Sequence, residues 1–444
     1  MKVLPSSSNA STICVGSACL NETELQSIKQ YPTSVCNNGQ CLNSSDVAVI
    51  KNLPSWANST RHCIGPDCMI STDLVVLKNI SQVVNSSSIC SGNTCLNSTD
   101  LQALKTLISN TTTETYCVPS NYSAVSIYTG TGTVGSADGA RLSATFNTPR
   151  GVTITSNGTV FVADTDNHLI RRISPEGVVS RFAGSVSGYA DGQGTAAKFQ
   201  QPLGVTMAPN GNLYVTDFLN NRIRQITPSG VVTTIAGSGS AGSADGNGTS
   251  ASMYNPAQIT VTSDGIIYFT DNTNNRVRKI NGTIVTTLAG SGAVGSADGL
   301  GTAATFNGPW GITSDSSGNV YVSELHNNKI RKITPAGLVT TVAGTGAVGS
   351  ADGPVSSATF SLPTGITISR TGILFVSDLQ NHRIRKITPD GQVTTIAGGT
   401  QGFQNGIGIQ SRLNSPTGIT ISPNETLYVV DMNNHSIRKI EPVC

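Results

Sequence analysis

Beyond about residue 124 the chain reads as short apolar segments separated by turn residues. One stretch is representative. Gly151-Val152-Thr153-Ile154 is followed by a turn at Asn-Gly, then by Val160-Phe161-Val162-Ala163-Asp164. An Ile-Arg-Arg-Ile motif follows at 170 to 173, and a last segment runs from Gly177-Val178-Val179 to Ala183-Gly184. Segments of this length bounded by Gly, Asn and Asp predict β-strands joined by hairpins. Within the third segment Ile170 and Ile173 point to opposite faces at a period of two, so that strand is apolar on both sides and belongs between two other layers.

The pattern recurs. Pro149, Pro202, Pro256, Pro309, Pro363 and Pro416 follow one another at 53 or 54 residues, each opening another set of four segments. Four short strands per unit and six units predict a mainly β chain folded as a six-bladed β-propeller, in which each thin sheet gains its burial from its neighbours. The last unit stops after its third strand at Ile440. An orphan fourth strand, Ala124 to Thr131 followed by Gly135-Ser136-Ala137-Asp138-Gly139, precedes the first unit, so the two chain ends are expected to complete one blade and close the ring.

Asp164-Thr165-Asp166-Asn167-His168-Leu169-Ile170-Arg171 contains the Asn-His-Leu signature of the NHL repeats, and the chain resembles that family. Equivalent stretches begin at Asp217, Asp271, Glu324, Asp378 and Asp431, and each has an arginine seven residues on: Arg224, Arg278, Arg331, Arg385 and Arg438. A carboxylate ending the second strand can accept N–H groups of the following turn, and the arginine can neutralise it, so these are read as structural turn pairs. Gly-Ser-Ala-Asp-Gly recurs at Asp138, Asp245, Asp298 and Asp352, with a variant at Asp191. One carboxylate beside a glycine is read as a turn rather than as a calcium loop, which needs six to eight oxygens.

Some NHL-like propellers are amidating lyases, a resemblance that implies zinc held by histidines converging on the axis. Here His168, His382 and His435 share one repeat position, where other blades carry Asn221, Asn275 and Asn328, while His326 lies two positions earlier and His62 outside the propeller. Residues at one repeat position lie on a ring and meet only if it faces the axis, so neither metal nor other cofactor is expected and no catalytic residue is assigned. Arg-Arg and Arg-Lys pairs such as Arg171-Arg172 and Arg278-Lys279 lack interleaved aromatics, and with a net charge of +2 nucleic acid is not an expected partner.

Residues 1–117 follow a different, shorter rule. Units at about 14–35, 36–62, 63–89 and 90–116 each hold Cys-x4-Cys and then an apolar, hydroxyl and acidic pattern, as in Thr72-Asp73-Leu74 and Thr99-Asp100-Leu101, that predicts a short capped helix. A linker at 118–123 leads to the propeller at 124–444. The ten cysteines suggest an oxidising compartment and disulfides rather than zinc. Local pairing joins Cys14 to Cys19, Cys36 to Cys41, Cys63 to Cys68 and Cys90 to Cys95, leaving Cys117 for Cys444. A shifted register joins Cys19 to Cys36, Cys41 to Cys63, Cys68 to Cys90 and Cys95 to Cys117, leaving Cys14 for Cys444. The local register is favoured because Cys117 and Cys444 flank the strands that meet at ring closure.

Fourteen Asn-x-Ser/Thr sequons point to an extracellular glycoprotein: Asn9, Asn21, Asn43, Asn58, Asn79, Asn85, Asn97, Asn110, Asn121, Asn157, Asn247, Asn281, Asn424 and Asn434. No membrane-spanning run is present, and Met1 to Ser8 lacks the apolar core of a signal peptide, so a leader is expected to have been removed or omitted. Each arm unit has only a handful of apolar side chains to offset its chain entropy. Neighbouring subunits are the simplest source of extra burial, which makes a self-associating structural protein of a fibre or appendage the leading expectation. A monomeric receptor or adhesin binding a glycan or peptide on a propeller face is the alternative.

Overall fold

The computed structural model describes residues 121–443, with side chains from 124 to 442, together with the backbone of short strand pairs between residues 12 and 95. The chain divides into two units, Met1–Val118 and Pro119–Cys444.

The second unit is a six-bladed propeller. In the first blade the innermost strand is Gly151–Ile154, followed outward by Val160–Asp164, Leu169–Ile173 and Val178–Gly184, all antiparallel. Blades two to five repeat this order, with innermost strands Pro202–Met207, Pro256–Val261, Pro309–Ser314 and Pro363–Ile368. The sixth has Pro416–Ile421, Leu427–Asp431 and Ser436–Val443 from the C-terminal end, and takes its fourth strand, Asn121–Thr129, from upstream of the first blade. The ring closes as the repeat predicts. That strand begins at Asn121, three residues before the expected domain start, because Pro442 and Val443 continue the ladder opposite Tyr122 and Asn121.

Each blade also has a fifth strand that sequence reading omits. Gly139–Ala140 lies along the outer edge of the first blade, pairing with Val178 and Val179, and equivalents lie on the other five. Two residues are too few to show a period, and these belong to the Gly-Ser-Ala-Asp-Gly loops expected to be plain turns.

Side chains from adjacent blades form the cores. Ile170 packs with Phe199, Val205 and Val215 of the second blade, whereas Ile173 packs with Tyr128, Tyr428 and Val430 of the sixth. The third strand is thus apolar toward both neighbours, as its pattern demands. Near the axis the innermost strands approach so closely that a Cβ on Gly151, Gly204, Gly311, Gly365 or Gly418 would strike a backbone carbonyl of the next blade. In the third blade this position is Gln258.

In the first unit the described backbone consists of short antiparallel strand pairs. Cys14 lies opposite Cys19, Cys36 opposite Cys41, Cys63 opposite Cys68 and Cys90 opposite Cys95. Val35–Asn37 also lies beside Cys90–Ser91, with Cys36 opposite Cys90. The expected short helices, Cys117 and Cys444 lie outside the described residues.

Candidate functional site

The repeated acid and arginine meet in every blade. Asp164 ends the second strand, a single 3₁₀ turn follows, and Arg171 returns beside it on the third strand. The Asp164 carboxylate accepts the Asn147 N–H at 2.8 Å, the Asn167 amide at 2.9 Å and Arg171 Nη1 at 2.8 Å, and both charged side chains are fully buried. Arg171 Nη2 reaches Asp138 at 2.7 Å. The two acidic motifs read separately in the sequence therefore meet on one guanidinium. Asp138, Asp191, Asp245, Asp298 and Asp352 clamp Arg171, Arg224, Arg278, Arg331 and Arg385 in five blades, and Asn405 replaces the aspartate beside Arg438 in the sixth. A constant spacing of 33 residues between these partners was the signal that could have revealed them.

Burial dominates the electrostatics of this network. It pushes the Asp164 carboxyl up to about 6 against the opposing pull of the Asn147 N–H, Asn167 and Arg171, and it raises Asp217, Asp271, Glu324, Asp378 and Asp431 in the same direction. Withdrawing one partner from such a buried pair costs about 3–5 kcal/mol, since the other charge stays desolvated. With the carboxylates and both terminal nitrogens of each guanidinium committed to the protein's own groups, these residues form a scaffold.

The histidines have a different duty from the one weighed for them. His168, His382 and His435 adopt left-handed backbone at the end of the 3₁₀ turn, and their Nδ1 atoms accept the N–H of Gln201, Ser415 and Thr148 in the following blade at 3.2, 3.0 and 3.1 Å. Asn221, Asn275 and Asn328 do the same through Oδ1 in the other three blades. Each is a staple between blades, and none is exposed: the three histidines and Asn275 are half-buried, Asn221 and Asn328 buried. The His435 staple joins the sixth blade to the first. Among the described residues no three of His, Cys, Asp and Glu gather in a group that could hold a metal.

One sequon is also structural. Asn434 is buried, and its amide donates to Gly402 O and Asp431, the same bonds made by Asn167 in the first blade. Its nitrogen is committed inside the fold. Asn157, Asn247, Asn281 and Asn424 are exposed.

What departs from the repeat lies at the axis. A cavity of about 80 Å³ is ringed by Thr153, Thr206, Thr260, Thr313, Thr367 and Thr420 with their apolar neighbours. At the end where the innermost strands begin, the position after each signature proline is Arg150, Leu203, Ala257, Trp310, Thr364 or Thr417 in turn. Arg150 and Trp310 come from opposite blades, yet the guanidinium carbon lies 5.9 Å from the indole centroid. Phe218, in the turn of the second blade, lies 6.2 Å from the same indole.

Residues 146–173, 199–226, 306–333 and 413–440 match the NHL repeat family model. This is an NHL-repeat propeller. The third and fifth blades, outside the matched residues, fold alike with the rest. The chain is 28% identical over 292 residues to NHL repeat-containing protein 2 of Homo sapiens, covering 56% of this chain and 40% of that protein. It is 29% identical over 279 residues to Protein SUPPRESSOR OF QUENCHING 1, chloroplastic, of Arabidopsis thaliana, covering 58% and 26%. It is 29% identical over 354 residues to Teneurin-3 of Danio rerio, covering 69% and 12%. The alignments thus span less than half the length of these relatives. Among solved structures, an auxiliary nutrient binding protein from Bacteroides thetaiotaomicron VPI-5482 superposes with a TM-score of 0.56 at 19% identity, covering 72% of this chain and 76% of that one, a likeness of fold.

Proposed function

We propose that the propeller is a rigid, non-catalytic interaction module of an extracellular glycoprotein, and that the cysteine-rich arm connects it to further copies in a fibre or surface appendage. The observation that carries this reading is the use of the recurring charged residues: in all six blades the arginine and its acid are consumed by internal contacts, which leaves recognition to surfaces and to positions that break the repeat. Sequon density and paired cysteines support the compartment, and the low apolar content of the arm units supports assembly.

Local disulfides belong to the same proposal. Each of these cysteine pairs occupies opposite positions of an antiparallel ladder, where Cα separations fall in the range a disulfide spans, which supports the local register. Val443 opposite Asn121 brings the chain neighbours of Cys117 and Cys444 to one edge of the ring. Light scattering across a concentration series, electron microscopy of native material and non-reducing peptide mapping test the reading together. Particles with a regular axial repeat and Cys14–Cys19-type peptides are the expected result. A chain monomeric at every concentration overturns assembly in favour of a single-copy receptor or adhesin, the reading favoured by the Arg150 and Trp310 cluster.

A further inference from the structure

The six blades agree wherever the fold requires it, so side chains that differ at the axis are the ones free to serve a ligand. Three facts converge at the mouth where the innermost strands begin. Arg150 is half-buried and, among the described residues, makes no ion pair and no side-chain hydrogen bond. Every propeller arginine on the third-strand repeat position, by contrast, is locked to a carboxylate. Burial lowers the proton affinity of the Arg150 guanidinium against the opposing charge of Asp166, which marks a cation short of compensation.

The second fact is the aromatic wall formed by Trp310 and Phe218, with Leu203 buried at the same level. The third is an unsatisfied polar atom one residue further along the innermost strand, at the axial lining: Gln258 Nε2, where the other blades have glycine. An unpartnered buried polar atom costs about 1–3 kcal/mol, and unlike the arginine Nε atoms that go unpartnered in every blade, Gln258 Nε2 breaks the repeat. The axial cavity beneath is too small for an organic ligand, since ligand pockets enclose about 300–1,000 Å³. An occupant must therefore sit on the mouth.

We propose that this mouth is a binding site for an organic carboxylate with an apolar or aromatic body. The carboxylate takes the fork of Arg150, the body lies against Trp310 and Phe218, and Gln258 Nε2 supplies a hydrogen bond. A guanidinium suits this role because its planar donors match two carboxylate oxygens at once. The contact between Arg150 and Trp310 holds the cation in place while the site is empty. This site is independent of assembly and stands whether or not the chain forms fibres.

The chain has two tryptophans, Trp56 and Trp310, so a Trp56→Phe background makes Trp310 the sole indole reporter. Phenylacetate titrated into the full-length protein is expected to change its fluorescence saturably, phenylacetamide to bind roughly tenfold or more weakly, and Arg150→Gln to remove the preference between them. Arg150→Gln is expected to keep the wild-type circular dichroism, since this side chain has no hydrogen bond or ion pair to lose and gives up only its contact with Trp310. The absence of a saturable response to phenylacetate overturns the proposal and leaves Arg150 and Trp310 as an internal plug. Equal affinity for phenylacetate and its amide, undiminished binding in Arg150→Gln, or a preference for glucuronate over phenylacetate overturns it as well.

Discussion

A histidine that accepts a backbone N–H through Nδ1 must be neutral, with its proton on Nε2. His168, His382 and His435 are so placed, and burial holds the proton affinity of each below the ordinary value, with Asp166 pulling the other way on His168 and His435. In the unfolded chain these imidazoles take up protons first as pH falls through about 6.5. The unfolded state then binds more protons than the folded one, so their contribution to stability is present above that pH and is lost below it. Asparagine serves the same bond in the other three blades and does not titrate. A variant carrying His168→Asn, His382→Asn and His435→Asn should therefore lose less of its melting temperature than the wild type between pH 7.5 and 5.5, by about a degree or more. The raised carboxyl groups are common to both proteins and cancel in the comparison. Parallel melting curves would show the staples to be irrelevant to acid stability.

At the scale of the strand, the glycine two residues after the signature proline, present in five of the six blades, is fixed by its neighbour. A methyl group on Gly311 would overlap the Thr364 carbonyl and crowd Ser323 Oγ, and both belong to packed strands that cannot retreat. Gly311→Ala should cost about 1–3 kcal/mol in denaturant unfolding. Gly265→Ala, where a methyl would meet nothing within 4 Å, should lose only what its φ of +84° imposes, on the order of 1 kcal/mol. Equal losses would discount the interblade contact. The same contrast explains what could be read in advance. Proline spacing and the doubled apolar faces of Ile170 and Ile173 reveal blades, their number and their closure, because those properties repeat. The outer strand at Gly139–Ala140 escaped notice because it is too short to have a period. The mouth escaped for the opposite reason, since Arg150 and Trp310 are 160 positions apart and each breaks the rule that exposes everything else.

For the whole molecule, closure depends on nine residues borrowed from far upstream. Asn121–Thr129 supplies Val125 and Tyr128 to two of the interblade cores, and it lies beside the last strand with Asn121 opposite Val443. A circular permutant joining residue 443 to 121 through a short turn, with new ends at 131 and 132, should keep the circular dichroism of the parent and melt within a few degrees of it. The seam needs these strands adjacent and makes no demand on their order of synthesis. An unfolded permutant would place the stability elsewhere. The antiparallel seam also has a mechanical consequence. Because both termini leave the ring at the same edge, a load that drags them apart opens its ladder one bond at a time, starting from Asn121 and Val443, instead of straining all the bonds together. A covalent tie between the flanking segments would pass that load around the ring and spare it.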